Sequence, residues 1–70
     1  MSITIEGASQ IEQQIYRRAG GRIQNICVHV DQQRVVIYGD APTYHTMQLA
    51  VAATAELFPN HEVINAIEIL

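Results

Sequence analysis

The pattern of apolar and polar residues predicts a helix near the start of the chain, over about residues 9–19. Its apolar stripe recurs every four residues and consists of Ile11, Ile15 and Ala19. Ser9 and Glu12 have the spacing of a capping box, which is expected to begin the helix. Two glycines follow, and glycine readily takes the left-handed conformation that ends a helix.

Apolar residues then alternate with other residues, which predicts a two-stranded hairpin. One face of the hairpin is formed by Ile26, Val28, Val30, Val35 and Ile37. The polar residues 31–33 are expected to form the turn, although no Asn-Gly or Asp-Gly fixes its type. Gly39 is expected to end the second strand, where the backbone turns toward the helices and glycine offers either conformational freedom or a close approach that a side chain would deny.

After Gly39 the period changes from two to about 3.6, which predicts an amphipathic helix over residues 43–58. Thr43 is the expected N-cap, and Pro59 stops the helix because the residue before a proline avoids the helical region. The predicted core-facing residues of this helix are Met47, Ala50, Val51, Thr54, Leu57 and Phe58. Residues 63–69 then predict a closing strand.

The element order is therefore α-β-β-α-β, which predicts an α+β fold of two layers. Both helices are expected on one face of a three-stranded mixed sheet. The strand order 1-2-3 is the simplest arrangement, with a right-handed crossover between the second and third strands, and 2-1-3 is the alternative. Residues 1–7 are assigned to an N-terminal tail and residues 8–70 to a single domain.

Three motifs carry a resemblance to a known family. They are Val35-x-Ile37-x-Gly39-x-Ala41-Pro42, then Ala50 in the following helix, then Val63-Ile64-Asn65-x-Ile67-x-Ile69. In order and spacing they resemble the BON domain (bacterial OsmY and nodulation) over about residues 8–69. The resemblance implies an αββαβ fold and a non-enzymatic domain that binds phospholipids or mediates envelope interactions. The chain departs from the family pattern in lacking the usual glycine of the hairpin turn and in having Asn60-His61 before the last strand.

Charge and composition narrow the choice of partners. Seventy residues carry four arginines, no lysine and seven acidic residues, for a net charge of −3. That balance disfavours nucleic acid and broad affinity for anionic membranes, which are bound by neutralising phosphates. One cysteine cannot form an internal disulfide, and no signal peptide or transmembrane segment is recognisable. A cytoplasmic location is expected for a complete chain, and the periplasm or cell envelope if a signal-bearing segment is missing.

Residue types that could carry catalysis or bind a metal are present but scattered. Cys27 and His29 share one side of a strand, yet nothing in the spacing of the other two histidines brings them near. The stretch 39–42 precedes a helix N-terminus, but it has a single glycine and Asp40 would repel a phosphate. No paired carboxylates occur. We therefore expect no enzyme activity, no cofactor and no metal site.

The one basic cluster surrounds the glycines after the first helix and consists of Arg17, Arg18 and Arg22. It is a candidate site for lipid headgroups or another small anion, worth about 1 kcal/mol per arginine at an anionic surface. The alternative is that two of these arginines only offset the negative end of the helix dipole. The segment RRAGGRI also resembles the glycine loop of KH domains, but such a loop joins two helices and a strand pattern follows here.

The sheet face opposite the helices is the second candidate site. We call it the outer face, and its residues are Cys27, His29, Val36, Tyr38, Ile64, Ala66 and Leu70. A half-exposed sheet normally turns polar residues outward, so an apolar outer face indicates a partner. The expected interface residues are Val36, Tyr38, Ile64 and Ala66, and a homodimer is the expected assembly. The chain is thus predicted to be an interaction module acting through this face or a sheet edge, the alternative being weak binding of phospholipid headgroups.

Overall fold

Two helices and a three-stranded sheet make up the part of the chain that the structure describes. The computed structural model describes the backbone of residues 4–70 and the side chains of residues 10–70. The elements are α1 (Thr4–Arg18), β1 (Gln24–Val30), β2 (Arg34–Ala41), α2 (Tyr44–Leu57) and β3 (Glu62–Ile69). The predicted α+β fold with αββαβ order is confirmed.

The sheet has the order β1-β2-β3, so the middle strand pairs on both sides. β1 and β2 are antiparallel, and β2 and β3 are parallel. This confirms the order 1-2-3 and excludes 2-1-3. One buried cluster joins both helices to one face of the sheet, and its members are Ile15, Ala19, Ile23, Ile37, Ala50 and Ala53.

Helix α1 begins earlier than the sequence pattern predicts. Its backbone is helical from Thr4, so Ser9 lies inside the helix and the capping-box prediction is wrong. Residues 4–7, assigned to a tail, belong to the helix, and residues 1–3 lie outside the described chain.

The predicted end of α1 is confirmed. The Gly21 amide donates to the Tyr16 carbonyl at 2.9 Å and the Gly20 amide donates to the Arg17 carbonyl at 3.0 Å. These two bonds form a Schellman motif, which satisfies carbonyls of the last turn. Gly20 has a φ of 77°, in the left-handed region where a side chain would be strained.

Helix α2 begins where predicted but presents a different face to the core. The Thr43 hydroxyl accepts from the Thr46 amide at 3.1 Å and so confirms the N-cap. The buried residues are Thr46, Ala50, Ala53 and Thr54, whereas Met47 and Val51 are only half-buried. The prediction is confirmed for Ala50 and Thr54, and Leu57 packs against the core. Met47, Val51 and Phe58 are only half-buried, and the buried Thr46 and Ala53 were not predicted. The buried Thr54 hydroxyl is satisfied by donating to the Ala50 carbonyl at 2.8 Å.

The hairpin turn uses an aspartate in place of glycine. The Asp31 carboxylate accepts from the amides of Gln33 and Arg34 at 2.9 and 2.8 Å. Across the turn, the Nε2 of His61 donates to the Asp31 carbonyl at 3.0 Å. The turn between β1 and β2 is therefore held by its own side chain and tied to the segment that begins β3.

Gly39 is favoured because neighbouring atoms approach its Cα closely, and not because its φ lies in the left-handed region. β2 continues to Ala41, so the prediction that the strand ends at Gly39 is wrong. A Cβ at this position would lie 3.2 Å from the Gln24 carbonyl oxygen and 3.3 Å from Cδ1 of the fully buried Ile23. Ile23 precedes β1 and Gln24 begins it, so the irregular start of β1 packs closely against Gly39 and leaves little space for a side chain.

We expect Gly39→Val to lower the free energy of unfolding by ~1–3 kcal/mol, because its methyl groups displace a backbone carbonyl and a buried isoleucine. Gly39→Ala should cost less, since the added methyl also removes about 0.5–1 kcal/mol of unfolded-state entropy. Urea denaturation of the two variants measures both values. A Gly39→Val protein with the wild-type midpoint would show that the Gln24 carbonyl and the Ile23 side chain can shift without loss of stability.

Stability at acid pH should depend on Asp31. The amides of Gln33 and Arg34 stabilise its charged form and lower the pKa of the carboxyl below its usual value. A depressed folded-state pKa contributes stability that is present above the unfolded-state pKa of about 3.9 and is lost as the pH falls through the folded-state value. Thermal melts between pH 6 and pH 2, at about half-unit steps, should show a fall below about pH 4 that is smaller in Asp31→Asn. An identical acid profile for the variant would contradict this role.

Candidate protein-interaction face

Two rows of mainly apolar side chains cross the middle of the outer face. In one row His29, Val36 and Ile64 are neighbours in register. In the next row the neighbours are Cys27, Tyr38 and Ala66. The structure therefore brings together all four predicted interface residues, Val36, Tyr38, Ile64 and Ala66, on adjacent strands.

These side chains are open to solvent to different degrees. Tyr38 is 42% exposed, and its ring meets His29 edge-on with 5.4 Å between ring centroids. Val36, Ile64 and Ala66 are half-buried among their neighbours in the sheet. Leu70, just beyond β3, is 80% exposed. Among the described residues, no helix or loop packs over this face.

A charged row lies at each end of the apolar rows. At one end Arg34 pairs with Glu62 across β2 and β3 at 3.8 Å. At the other end Asp40 lies beside Glu68, and the Asn25 side-chain amide donates to Asp40 at 2.8 Å. The apolar area is thus a band with a polar rim, which is the usual anatomy of a protein interface.

The sequence analysis did not predict the two charged rows, although the alternating residues of β2 and β3 indicate them. On β2 every second residue reads Arg34, Val36, Tyr38 and Asp40. On β3 the corresponding residues are Glu62, Ile64, Ala66 and Glu68. Both strands carry charge, two apolar or aromatic residues, then charge, at the period of one sheet face.

Side chains occupy part of both sheet edges. On β1, the Val28 amide donates to the carboxylate of Glu12 from α1 at 3.3 Å. On β3, the Ile67 amide donates to the Asn65 side chain at 2.9 Å. An edge amide that already has a side-chain acceptor is a poor template for another strand. One amide on each edge strand is therefore already bonded within the chain.

The three arginines near the end of α1 have different surroundings. Arg18 makes an ion pair with Glu56 of α2. Arg22 lies beside Asp40 and Leu70 at a shallow depression. Arg17 is exposed in the last turn of α1, where it can offset the helix dipole. One of the three cations is thus paired with a carboxylate of this chain, which weakens the case for an anion site.

The candidate metal ligands are also separated. Cys27 and His29 lie exposed on the outer face, His45 is exposed on α2, and His61 is bound to the hairpin turn. Among the residues that the structure describes, no three His, Cys, Asp or Glu side chains are placed to hold a metal ion.

Comparisons of this chain with protein-family models, with curated proteins and with solved structures gave no match. The resemblance to the BON domain therefore rests on the three sequence motifs alone. Within the described part of the chain, neither helix combines the length and apolar character needed to cross a bilayer.

The arginine hypothesis predicts weak co-sedimentation with phosphatidylserine vesicles at low salt, lost at high salt and weakened by Arg17→Glu. Because Glu56 neutralises Arg18, Glu56→Gln should strengthen any such binding. Neutral phosphatidylcholine vesicles are the control. Absence of binding to anionic vesicles at low salt would remove headgroup binding as a function.

Proposed function

We propose that this chain is a non-enzymatic interaction module that self-associates through its outer face to form a homodimer. The observation that supports the proposal is the apolar band of Val36, Tyr38, Ile64 and Ala66, left uncovered between two charged rows. A tyrosine at the centre is the residue type that interfaces favour.

Because the core of the chain is small, self-association would add to its stability. The core cluster contains three alanines, and its largest side chains are isoleucines. A domain of this size rarely gains more than about 3–5 kcal/mol from its core, and association is a common remedy. Covering the outer face would remove further apolar area from water at about 25 cal/mol per Å².

The size of the face sets the expected affinity. Three strands about 4.8 Å apart, with eight-residue strands rising about 3.3 Å per residue, present an area of roughly 15 by 25 Å. Two such faces cover about 750 Å² in total, which is below the roughly 1,200 Å² of stable interfaces and in the range of weak, transient contacts. We therefore expect dissociation constants in the micromolar range rather than an obligate dimer.

Weak headgroup binding by the arginines is the alternative function, and it uses a different surface. The ion pair between Arg18 and Glu56 argues against it. The vesicle experiment described above distinguishes the two functions, because substitutions on the outer face should leave vesicle binding unchanged.

We expect Tyr38→Glu to shift the protein from dimer toward monomer, because a carboxylate would be buried in the apolar band without a partner. Sedimentation equilibrium across micromolar concentrations measures the mass, and the melting temperature should fall with it. Tyr44→Glu is the matched control: Tyr44 is a 59% exposed tyrosine on α2, in the helix layer. This variant should retain the wild-type mass.

Two results would contradict self-association through this face. A wild-type monomer mass up to about 100 µM would show that the outer face is tolerated apolar surface. If Tyr44→Glu dissociates the dimer and Tyr38→Glu does not, the interface lies on the helix layer and not on the outer face.

A further inference from the structure

The outer face carries enough asymmetry to determine how two copies can stack. Along the strands it presents four rows in the order charged, apolar, apolar, charged. Among the residues of β2 and β3 on this face, only the first row has a cation, because Arg34 and Glu62 lie there while Asp40 and Glu68 form the last row. Arg22, which precedes β1, lines a depression beside Asp40. Two copies related by a two-fold axis can stack face to face with their strands aligned in two orientations, and the rows distinguish them.

In one orientation the two-fold axis runs along the strands. Each row of β2 then meets the same row of the second copy. Arg34 would face Arg34, Asp40 would face Asp40, and the two Tyr38 rings would compete for one position. Like charges in direct opposition are destabilising, and this stacking places two such pairs at the interface.

In the other orientation the two-fold axis runs across the strands. It passes over Val28, Ile37 and Asn65, which are in register at the middle of the sheet and belong to its helix-covered face. The first row of one copy then meets the last row of the other. Arg34 faces Asp40 of the second copy, and Val36 faces Tyr38 of the second copy. On β3 the larger Ile64 faces the smaller Ala66 of the second copy, so the apolar rows are complementary in size.

We infer that the partner of the outer face is a second copy, stacked face to face with its strands antiparallel to those of the first. Arg34 then lies opposite Asp40 of the other copy in each of two symmetric contacts. The inference rests on the proposed function and adds which groups of the second copy each row meets. Two aligned sheets pack about 10 Å apart and about 30° from parallel, which brings long side chains of facing rows within reach.

The same orientation has one kind of unfavourable contact, made twice by symmetry, which makes it testable. Glu62 faces Glu68 of the second copy on β3. In each copy Arg34 lies 3.8 Å from Glu62 and can neutralise part of this repulsion. In the stacking along the strands, Glu68 would instead face the uncharged Gln24 on β1, since β1 and β3 exchange places. Changing Glu68 therefore has different consequences in the two orientations.

A charge-reversal cycle tests the Arg34–Asp40 contact. Arg34→Glu and Asp40→Arg should each weaken dimerisation about tenfold, and the double variant should recover most of the wild-type affinity. Sedimentation equilibrium measures each dimerisation constant. Circular dichroism melts of dilute monomer control for folding, since Asp40→Arg also removes the hydrogen bond from Asn25.

A second variant does not touch that hydrogen bond. Glu68→Arg replaces the repulsive contact with an attractive one and should tighten the dimer about tenfold. Gln10→Arg with Gln14→Arg is the control matched in net charge, because both glutamines are exposed on α1 in the helix layer. That control should change the dimerisation constant by less than about threefold, as expected for screened distant charges.

The outcomes separate this inference from the proposed function. Suppose that the wild type is a dimer and that Tyr38→Glu dissociates it. If the double reversal then fails to restore affinity and Glu68→Arg fails to tighten the dimer, the outer face remains the interface but the antiparallel stacking is overturned. A wild-type monomer overturns both. Rescue together with tightening supports both.

Discussion

The rest of the structure depends on the burial of Ile37 at the centre of β2. β2 pairs with a strand on each side, and the Ile37 side chain is fully buried in the cluster that joins both helices. Because both helices pack on this one side, they cover one face of the sheet and leave the other bare. The outer face is therefore a direct consequence of the way in which the core is built.

The helices reach Ile37 because the residues around it are small. Ala19, Ala50 and Ala53 line the contact, and the buried Thr54 satisfies its hydroxyl within α2. At the end of the sheet the same requirement appears at Gly39, where a backbone carbonyl and a buried isoleucine occupy the space of a side chain. Such close packing gives a dense but small core, so a modest further burial of apolar surface matters to the stability of this chain.

The outer face differs from the edges of the same sheet in how it is protected. Glu12 and Asn65 each place an acceptor on an edge amide, which discourages pairing with another strand. The apolar band has only a charged row at each end. This combination favours a face-to-face contact that closes with two copies over an edge-to-edge contact that could continue without limit.

The sequence by itself determined the features that depend on neighbours along the chain. Alternation placed Val36, Tyr38, Ile64 and Ala66 on one face, the Thr43 cap and the Gly20 terminus were local signals, and the order of elements restricted the sheet to a few topologies. The start of α1 was wrong, because Ser9 and Glu12 match a capping motif that the longer helix overrides.

Only the tertiary structure decided the contacts between elements. The pairing of Arg18 with Glu56, the bond from Val28 to Glu12 and the rotation of α2 away from Met47 and Val51 depend on which surfaces meet. A periodic pattern shows that a helix has an apolar side, but a nearly uncharged helix such as α2 has several sides that could serve. Which side of α2 faces the core is decided by packing against the small residues of the neighbouring elements, because close packing favours the side that leaves no gap.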